Sequence, residues 1–307
     1  MPRVPPALDI TAAETDADLE AMVVVRRAID SRTTIRLANL RHALESDTRG
    51  LTFVVARLGD EPVASGFVQP GHEAIAYGDI SVVPGRRGHG IGSAMLAWES
   101  DRAGSLGKQH LQFEVRQSDA YSREFLERRG YERVGGQEAV TLELGGEATT
   151  TELLEGIRLV TLEERPDLIE AMYEVFAEAE QDVPGEDVGT SFADWRSFNV
   201  DRPTRDPAFS FVALAGDVVV GFAQLDVFET EARHGYTAVR RSWRRRGIAR
   251  ALKRAQISAA TERGLERLIT QSEERNLPMR NLNEQLGYRP DPERSIDELR
   301  GPLVPSA

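Results

Sequence analysis

The chain contains no cysteine and only five histidines among its 307 residues. Without cysteine there is no disulfide, no thiolate zinc site and no cysteine nucleophile, which fits a reducing compartment. The histidines show no metal-ligand spacing, so we expect no metal. Long apolar runs are also missing, because the stretch VVVGFA at 218–223 has only the length of a strand, and residues 1–10 lack the apolar part of a signal peptide. We therefore expect a cytoplasmic protein without a membrane span.

Negative charge dominates the composition, with a formal net charge of −12 at pH 7. This balance argues against nucleic acid as a partner, because nucleic-acid-binding domains are usually basic. The segment SWRRRGIARALKRA at 242–255 nevertheless concentrates arginine and lysine. These cations are predicted to serve a local anion, and the composition leaves the oligomeric state open.

The sequence contains an internal repeat. The segment DISVVPGRRGHGIGSAML (79–96) matches YTAVRRSWRRRGIARALK (236–253), with Arg87 and Arg244 standing 157 positions apart. The same spacing relates FLERRGY (125–131) to LNEQLGY (282–288). We therefore predict two homologous lobes, residues 1–147 and 148–307, joined near the aperiodic segment 144–156.

Each lobe has the pattern of an α+β domain, a mostly antiparallel sheet flanked by helices. An amphipathic helical stretch is predicted over 16–45 in the first lobe, and helices within 162–198 in the second. In each lobe another helix is predicted after the loop that carries Arg87 or Arg244. In the first lobe this helix is predicted to end at Gly107. The strands EAVTLEL (138–144) and SIDELRG (295–301) are predicted to close the first and the second lobe.

In each lobe the junction between the strand and the following helix is the predicted anion-binding site. A helix that begins after a glycine-bearing loop points unpaired backbone N–H groups and the positive end of its dipole at one spot, which suits phosphate. Glycine at 88, 90 and 92 lets a pyrophosphate approach the main chain. In the second lobe one stripe of the helix carries Arg246, Arg250 and Arg254. A phosphate-loop NTPase and a dinucleotide fold are disfavoured, because neither loop has Gly-Lys-Ser/Thr or the required glycine spacing.

The segments RRGHGIG and WRRRGIA resemble the acyl-CoA-binding signature of the GCN5-related N-acetyltransferases, and the late Gly-Tyr pairs also fall where that family has them. The resemblance covers nearly the whole chain as two tandem lobes. It implies a splayed sheet whose fourth and fifth strands admit the pantetheine arm of acetyl-CoA. The residues implied in binding acetyl-CoA are Val82, Val83, Arg87, Gly88, Gly90, Gly92 and Ser93 in the first lobe, and Val239, Arg240, Arg244, Arg245, Gly247, Ala249, Arg250 and Asn276 in the second.

Catalysis in this family is direct attack of an amine on the thioester, which needs a base and an acid. By the resemblance, Glu114 fits the base of the first lobe, but Asp119 replaces an asparagine that contacts the cofactor and Leu126 replaces the acidic tyrosine.

The second lobe has different gaps. Gln271 stands opposite Glu114, and Asn283 replaces the tyrosine. Glu231, His234 and Tyr236 are the alternative candidates for proton transfer there, although His234 also fits a hydrogen-bonded turn residue.

We expect an enzyme that moves an acetyl group from acetyl-CoA to a primary amine of a small molecule. Two alternatives stay open, an acetyltransferase for protein amino groups and a CoA-binding sensor or scaffold whose lobes have lost their acid and base. The second lobe has an acidic rim that consists of Glu178, Glu180, Asp182, Glu186 and Asp187. These carboxylates fit binding of a cationic amine, and they fit a solvent-exposed acidic loop equally well.

Overall fold

The structure is a computed structural model that describes residues 5, 7–31, 33–145, 154–182 and 189–304. It divides into two compact units, Met1–Gly136 with Ile296–Ala307, and Gln137–Ser295. This division differs from the predicted boundary at 147/148, because residues 137–145 belong to the second unit and the last strand belongs to the first. Most of the predicted linker, 146–153, lies outside the described residues.

The described residues up to Glu143 form ten α-helices and β-strands. They are β1 (Leu8–Ala12), α1 (Asp16–Ile29), α2 (Leu37–Glu45), β2 (Thr52–Leu58), β3 (Glu61–Pro70), β4 (Ile75–Val82), α3 (Ile91–Ser105), β5 (His110–Arg116), α4 (Ala120–Glu127) and β6 (Glu132–Glu143).

The remaining helices and strands follow residue 154. They are β7 (Ile157–Thr161), α5 (Ile169–Glu180), α6 (Phe192–Asn199), β8 (Phe211–Ala215), β9 (Val218–Val227), β10 (Glu231–Val239), α7 (Ile248–Glu262), β11 (Arg267–Glu273), α8 (Leu277–Gln285), β12 (Arg289–Pro290) and β13 (Ile296–Pro302). Within the described residues, no helix is both long enough and apolar enough to cross a bilayer.

The sheet of the first unit runs in the order β1-β2-β3-β4-β5-β13. Neighbouring strands are antiparallel except β4 and β5, which are parallel and pair only from Ile75 with His110 to Gly78 with Phe113. Beyond Gly78 the two strands separate, although β4 continues to Val82 and β5 to Arg116. The unit therefore has a split at the carboxyl ends of its parallel strands.

The second unit repeats this plan, with the order β7-β8-β9-β10-β11 followed by residues 137–143 of β6. The parallel pair is β10 with β11, and it ends at Arg233 opposite Ile269. A β-bulge then interrupts β10, because Gly235 and Tyr236 stand between the pairs His234–Leu225 and Thr237–Ala223. The split of the second unit begins at this bulge.

Helices cover both faces of each sheet. In the first unit, α1 and α2 bury apolar side chains against Phe53 and Val55 of β2, while the alternate residues Val54 and Ala56 pack against α3. In the second unit, α5 and α6 pack on Val219 and Phe222 of β9. The other face of β9 packs against α7.

Two further sequence predictions are wrong, and two strands were missed. The helical stretch 16–45 is two helices, because α1 ends at Ile29 and α2 begins at Leu37. The strands β1 and β7 were not predicted. The strand predicted to close the second lobe is β13, and it pairs with β5 in the first unit, from Ile296 opposite Arg116 to Pro302 opposite His110.

Candidate functional site

The two arginine-bearing loops have the same backbone. In the first unit Gly88 has φ +79° and Gly90 has φ +81°, and Gly90 is the N-cap of α3. In the second unit Arg245 has φ +60° and Gly247, the N-cap of α7, has φ +86°. Each pair of positions keeps the spacing of the repeat. The loops are therefore duplicates in conformation as well as in sequence, even where Arg245 adopts a left-handed conformation that disfavours a side chain.

One side-chain hydrogen bond is also duplicated. Arg87 Nε donates to the carbonyl oxygen of Val82 at 3.2 Å, and Arg244 Nε donates to that of Val239 at 3.0 Å. The signature arginine thus holds the loop against the end of the strand. The same contact means that these two carbonyls already have a donor, whereas the resemblance implied that Val82 and Val239 offer backbone hydrogen bonds to the pantetheine arm.

Among the described residues, the first backbone amides of α3 and α7 have no hydrogen-bond partner. The first helical hydrogen bonds run from Ala94 N to Gly90 O and from Ala251 N to Gly247 O, both at 3.0 Å. Neither N-cap is a residue with a capping side chain. The amides that precede these bonds therefore point out of the helix with the positive end of its dipole, which is the arrangement that binds phosphate.

Space beside the loop is open. A Cβ built at Gly88 meets no described atom within 4 Å, and the nearest described atoms to one built at Gly92 belong to Phe125 at 3.6 Å and Val82 at 3.9 Å, which are ordinary contacts. In the second unit a Cβ at Gly247 would approach Leu154 at 3.4 Å. A bulky anion therefore has room in front of the first turn of α3, and Leu154 lies beside the corresponding loop of the second unit.

The acetyltransferase (GNAT) family model matches residues 21–131 and 168–288, about three quarters of the chain. The chain belongs to the GNAT acetyltransferase family. A mycothiol acetyltransferase from Thermobispora bispora is 26% identical over 289 residues, which cover 90% of this chain and 94% of that protein.

Solved structures agree on the fold. A GCN5-related N-acetyltransferase from Sphaerobacter thermophilus superposes with a TM-score of 0.75 at 22% identity, covering 99% of this chain and 98% of that one. A tandem GNAT protein from the clavulanic acid biosynthesis pathway gives 0.79 at 19% identity, covering 98% and 100%. The predicted family and the predicted tandem α+β fold are confirmed.

The other predicted CoA-binding residues of this GNAT protein lie around the two loops. Val83 donates its backbone N–H to Val63 in the neighbouring strand at 3.0 Å, and the Ser93 hydroxyl accepts from Arg129 at 2.8 Å. Arg250 donates to the side chain of Gln285. Asn276 is the N-cap of α8 and accepts from the Met279 amide at 3.3 Å.

The acidic rim pairs with the loop arginines of the second unit. Arg240 lies 3.6 Å from Glu178, while Arg241 and Arg244 each lie 2.7 Å from Asp182. These two guanidiniums lower the pKa of Asp182 to about 2. Glu178 and Asp182 are therefore neutralised by loop arginines, which argues against their attracting a cationic amine.

The other three rim residues do not contact the loop arginines among the described residues. Glu180 is buried and accepts hydrogen bonds from the backbone of Gly189 and Thr190. Glu186 and Asp187 lie outside the described residues.

Glu114 stands in the split of the first unit. It is the residue after Phe113, where β4 and β5 stop pairing, and its side chain is exposed. Residues alternate along a strand, so Glu114 faces the same side as Arg116, whose guanidinium pairs with Asp30 at the end of α1 at 3.0 Å. The carboxylate is thus on the α1 side of the opening.

Asp79 is a second carboxylate at this opening, and it was missed in the sequence. It follows Gly78, the last residue of β4 that pairs with β5, and forms an ion pair with Arg26 of α1. Nearby, Glu99 of α3 is fully buried, and both of its oxygens are without a hydrogen-bond partner among the described residues. Burial, followed by the charge of Asp79, raises the pKa of Glu99 well above its usual value.

Glu231 and Tyr236 occupy different parts of the second unit. Glu231 lies within the paired part of β10, and its carboxylate is held by Arg294 at 3.2 Å and by Arg233 at 3.4 Å. Tyr236 lies in the bulge, and its ring packs edge-on against Phe176 of α5 at 4.9 Å between centroids. Tyr236 is therefore at the split, and Glu231 precedes it.

A buried polar cluster lies behind the bulge, on the α7 side. His234 Nε2 and the Tyr288 hydroxyl are 2.6 Å apart, and Lys253 Nζ stands 5.7 Å from the centre of the Tyr288 ring. Burial lowers the pKa of His234 well below its usual value and that of Lys253 to about 7. His234 is consequently a hydrogen-bonded residue, and burial favours its neutral form.

The positions of the usual acidic tyrosine carry no ionisable group. Leu126 is buried in the core of the first unit, and Asn283 is 1% exposed, with neither amide atom hydrogen-bonded within the described part of the chain. Burial raises the pKa values of Tyr131 and Tyr288, which makes both poor proton donors. Within the described ranges, no group of three His, Asp or Glu side chains is arranged to hold a metal ion.

Proposed function

We propose that this protein transfers an acetyl group from acetyl-CoA to the primary amine of a small molecule by direct attack. The observation that carries the proposal is the duplicated loop at a helix N-terminus beside a split between parallel strands. The relative named as a mycothiol acetyltransferase supports a small-molecule acceptor.

The loops would bind the pyrophosphate of acetyl-CoA through main-chain amides. The open space in front of Gly88 and Gly92 and the unpaired amides at the start of α3 fit a diphosphate. In the second unit the amides at the start of α7 offer the same donors, and Arg245, Arg246 and Arg250 add positive charge. The acetyl thioester would then reach the split, where the acceptor amine approaches.

Glu114 would accept the proton that the amine loses in the first unit. The amine nitrogen bonds to the thioester carbon, the carbon–sulfur bond breaks, and the thiolate leaves with the electron pair of that bond. Glu114 has the exposure and the place in the split that a base needs. With Leu126 and Asn283 at the acid positions, the leaving thiolate would take its proton from water.

A second candidate function is CoA binding without catalysis. It is favoured by the missing acid in both units and by the ion pairs that hold Glu231. Both candidates share the loops, so only turnover separates them.

The experiment is release of free thiol from acetyl-CoA in the presence of an amine panel, beside calorimetric titration of CoA. Thiol release that requires an amine supports the enzyme. CoA binding without amine-dependent release supports the second candidate, and a complete lack of CoA binding contradicts both. Titration also counts the sites, and we expect one in each unit.

A further inference from the structure

Arg205 is a buried cation with unused donors. It precedes β8, and its side chain is only 2% exposed. Its Nη2 lies 3.2 Å from a carboxylate oxygen of Asp226, but Nε and Nη1 have no hydrogen-bond partner among the described residues. Burial lowers the pKa of Arg205 to about 10, which leaves the group charged at neutral pH. Buried donors of this kind normally have a hydrogen-bond acceptor, so the lack of one among the described residues needs an explanation.

The guanidinium lies against the bulge of β10. A Cβ built at Gly235 would overlap Nη1, Nη2 and Cζ of Arg205, so only glycine lets the side chain lie flat on this strand. Gly235 comes two residues after Arg233, the last residue of β10 that pairs with β11. The unused donors are therefore at the beginning of the split of the second unit.

The guanidinium is on the face from which an acceptor would come. Asp226 alternates along β9 with Leu225, which packs on the α7 side, so Asp226 and Arg205 lie on the α5 and α6 side. Tyr236, the other residue of the bulge, packs against Phe176 on this same side. CoA phosphates would instead be held at the N-terminus of α7.

Within the described ranges, Asp226 is the carboxylate that forms ion pairs with Arg205 and Arg202. Asp226 accepts from the Thr204 hydroxyl at 2.8 Å and pairs with both Arg205 and, at 3.7 Å, Arg202. One carboxylate thus forms ion pairs with two guanidinium groups. A single additional negative charge would balance the group and supply acceptors for the unused N–H groups.

We propose that Arg205 binds a carboxylate of the acceptor, so that the substrates of the second unit are small molecules bearing both a primary amine and a carboxylate. This inference rests on the proposed acetyltransferase function. A carboxylate fits because it brings one charge, as the site requires, and accepts charge-assisted hydrogen bonds from guanidinium. The bulge places that contact beside the split, where the amine of the same molecule must meet the thioester.

The first test is binding without turnover. The protein saturated with CoA is titrated with L-amino acids, dipeptides and ω-amino acids, and with the matching carboxamides, while the unfolding temperature is recorded. We expect at least one carboxylate ligand to raise that temperature and its amide to bind about 10- to 100-fold more weakly. Equal effects of acid and amide, or no effect from any of them, would overturn the proposal.

Variants locate the effect. Arg205→Gln should remove the preference for the carboxylate ligand and leave the weak binding of the amide unchanged. Arg196→Gln is the matched control, because it removes an exposed arginine of α6 that pairs with Asp201 at 3.1 Å, and it should keep the preference. Retention of the preference in Arg205→Gln would contradict the assignment. The double variant Arg205→Gln/Asp226→Asn guards against misfolding, since it leaves neither charge buried alone.

Turnover separates this inference from the function on which it rests. Thiol release with the carboxylate acceptor, together with a higher KM for that acceptor in Arg205→Gln, supports both the acetyltransferase function and the role of Arg205. Carboxylate-dependent stabilisation without thiol release refutes the acetyltransferase and keeps the anion site. Thiol release with equal kcat/KM for acids and amides supports the acetyltransferase and refutes the role of Arg205.

Discussion

Ala249→Glu should separate the phosphate site from the stability of the helix that forms it. Ala249 is the second residue of α7, and it is partly exposed in the first turn. A carboxylate in the first turn interacts favourably with the helix dipole, by about 0.3 to 1 kcal/mol. For a domain of this size that raises the unfolding temperature by about 1 to 4 °C.

The same carboxylate should repel CoA. At a separation of about 6 Å and an effective dielectric constant of about 20, a carboxylate and one phosphate charge repel by about 3 kcal/mol. This corresponds to a loss of about 100-fold in affinity, and it should shrink as salt is raised. Stability and affinity therefore change in opposite directions, which a misfolded variant cannot imitate.

The assay is calorimetric titration with CoA at low and high salt, together with thermal unfolding. Ala249→Gln is the matched control because it adds the same bulk without charge. Gly92→Glu and Gly92→Gln make the corresponding pair in the first unit, where a Cβ meets only ordinary contacts. Each Glu variant should abolish one of the two sites. If Ala249→Glu melted higher and still bound CoA as Ala249→Gln does at low salt, the phosphate would not lie at the start of α7.

The remaining predictions concern single side chains. Glu114→Gln should lower turnover about 10²- to 10⁴-fold with CoA affinity unchanged, and steady-state kinetics that match the wild type would contradict its role as base. Arg245→Gly relieves a left-handed residue and should raise the free energy of unfolding by about 1 kcal/mol or less while weakening CoA, as denaturation and titration would measure. Lys253→Met should stabilise the protein, and the gain should grow as pH falls from about 10 to about 7, because the folded state lowers this pKa to about 7. Glu99→Gln should stabilise the protein above about pH 5, where the unfolded carboxyl ionises while the folded carboxyl, with its raised pKa, stays protonated; at lower pH the substitution should give no gain. Free energies of unfolding that changed with pH in the opposite direction would refute the predictions for Lys253 and Glu99.

The loops were predictable from the sequence because their conformation is local. Glycine at 90 and 247 fixes a left-handed residue, and the helix that follows needs no distant partner to expose its amides. The alternation of apolar residues predicted most of the strands, but it missed β1 and β7. The tandem organisation followed from the spacing of 157 positions alone.

The choice of strand partner was not predictable. The segment 295–301 alternates as a strand in either sheet, and nothing local distinguishes β5 from a strand of the second unit as its neighbour. The ion pair of Asp79 with Arg26 joins residues far apart in sequence. Such pairings depend on the fold as a whole.

Arg205 was missed for the same reason, although one signal was present. Gly235 interrupts an otherwise strand-like segment, and a lone glycine there indicates a bulge or a close approach. Gly78 stands at the matching position of the first unit, where its missing Cβ makes room for Glu99 and Phe113. The glycine thus marked a close approach, but only the structure identifies the side chain that makes it.

Comparison of the two units distinguishes the loops proposed to bind CoA from the side chains proposed to take part in the reaction. At the spacing of the repeat, Asp79 corresponds to Tyr236, Glu99 to Gln256 and Glu114 to Gln271. These positions surround the split, and their side chains have diverged in charge, whereas the loops have kept their backbone even with an arginine in a left-handed conformation. Binding through main-chain amides depends on conformation, so it survives changes of side chain, while proton transfer and acceptor recognition do not. If both units bind the same thioester, as proposed, we expect them to differ in chemistry, with Glu114 as the proposed base in the first split and the buried guanidinium of Arg205 beside the second.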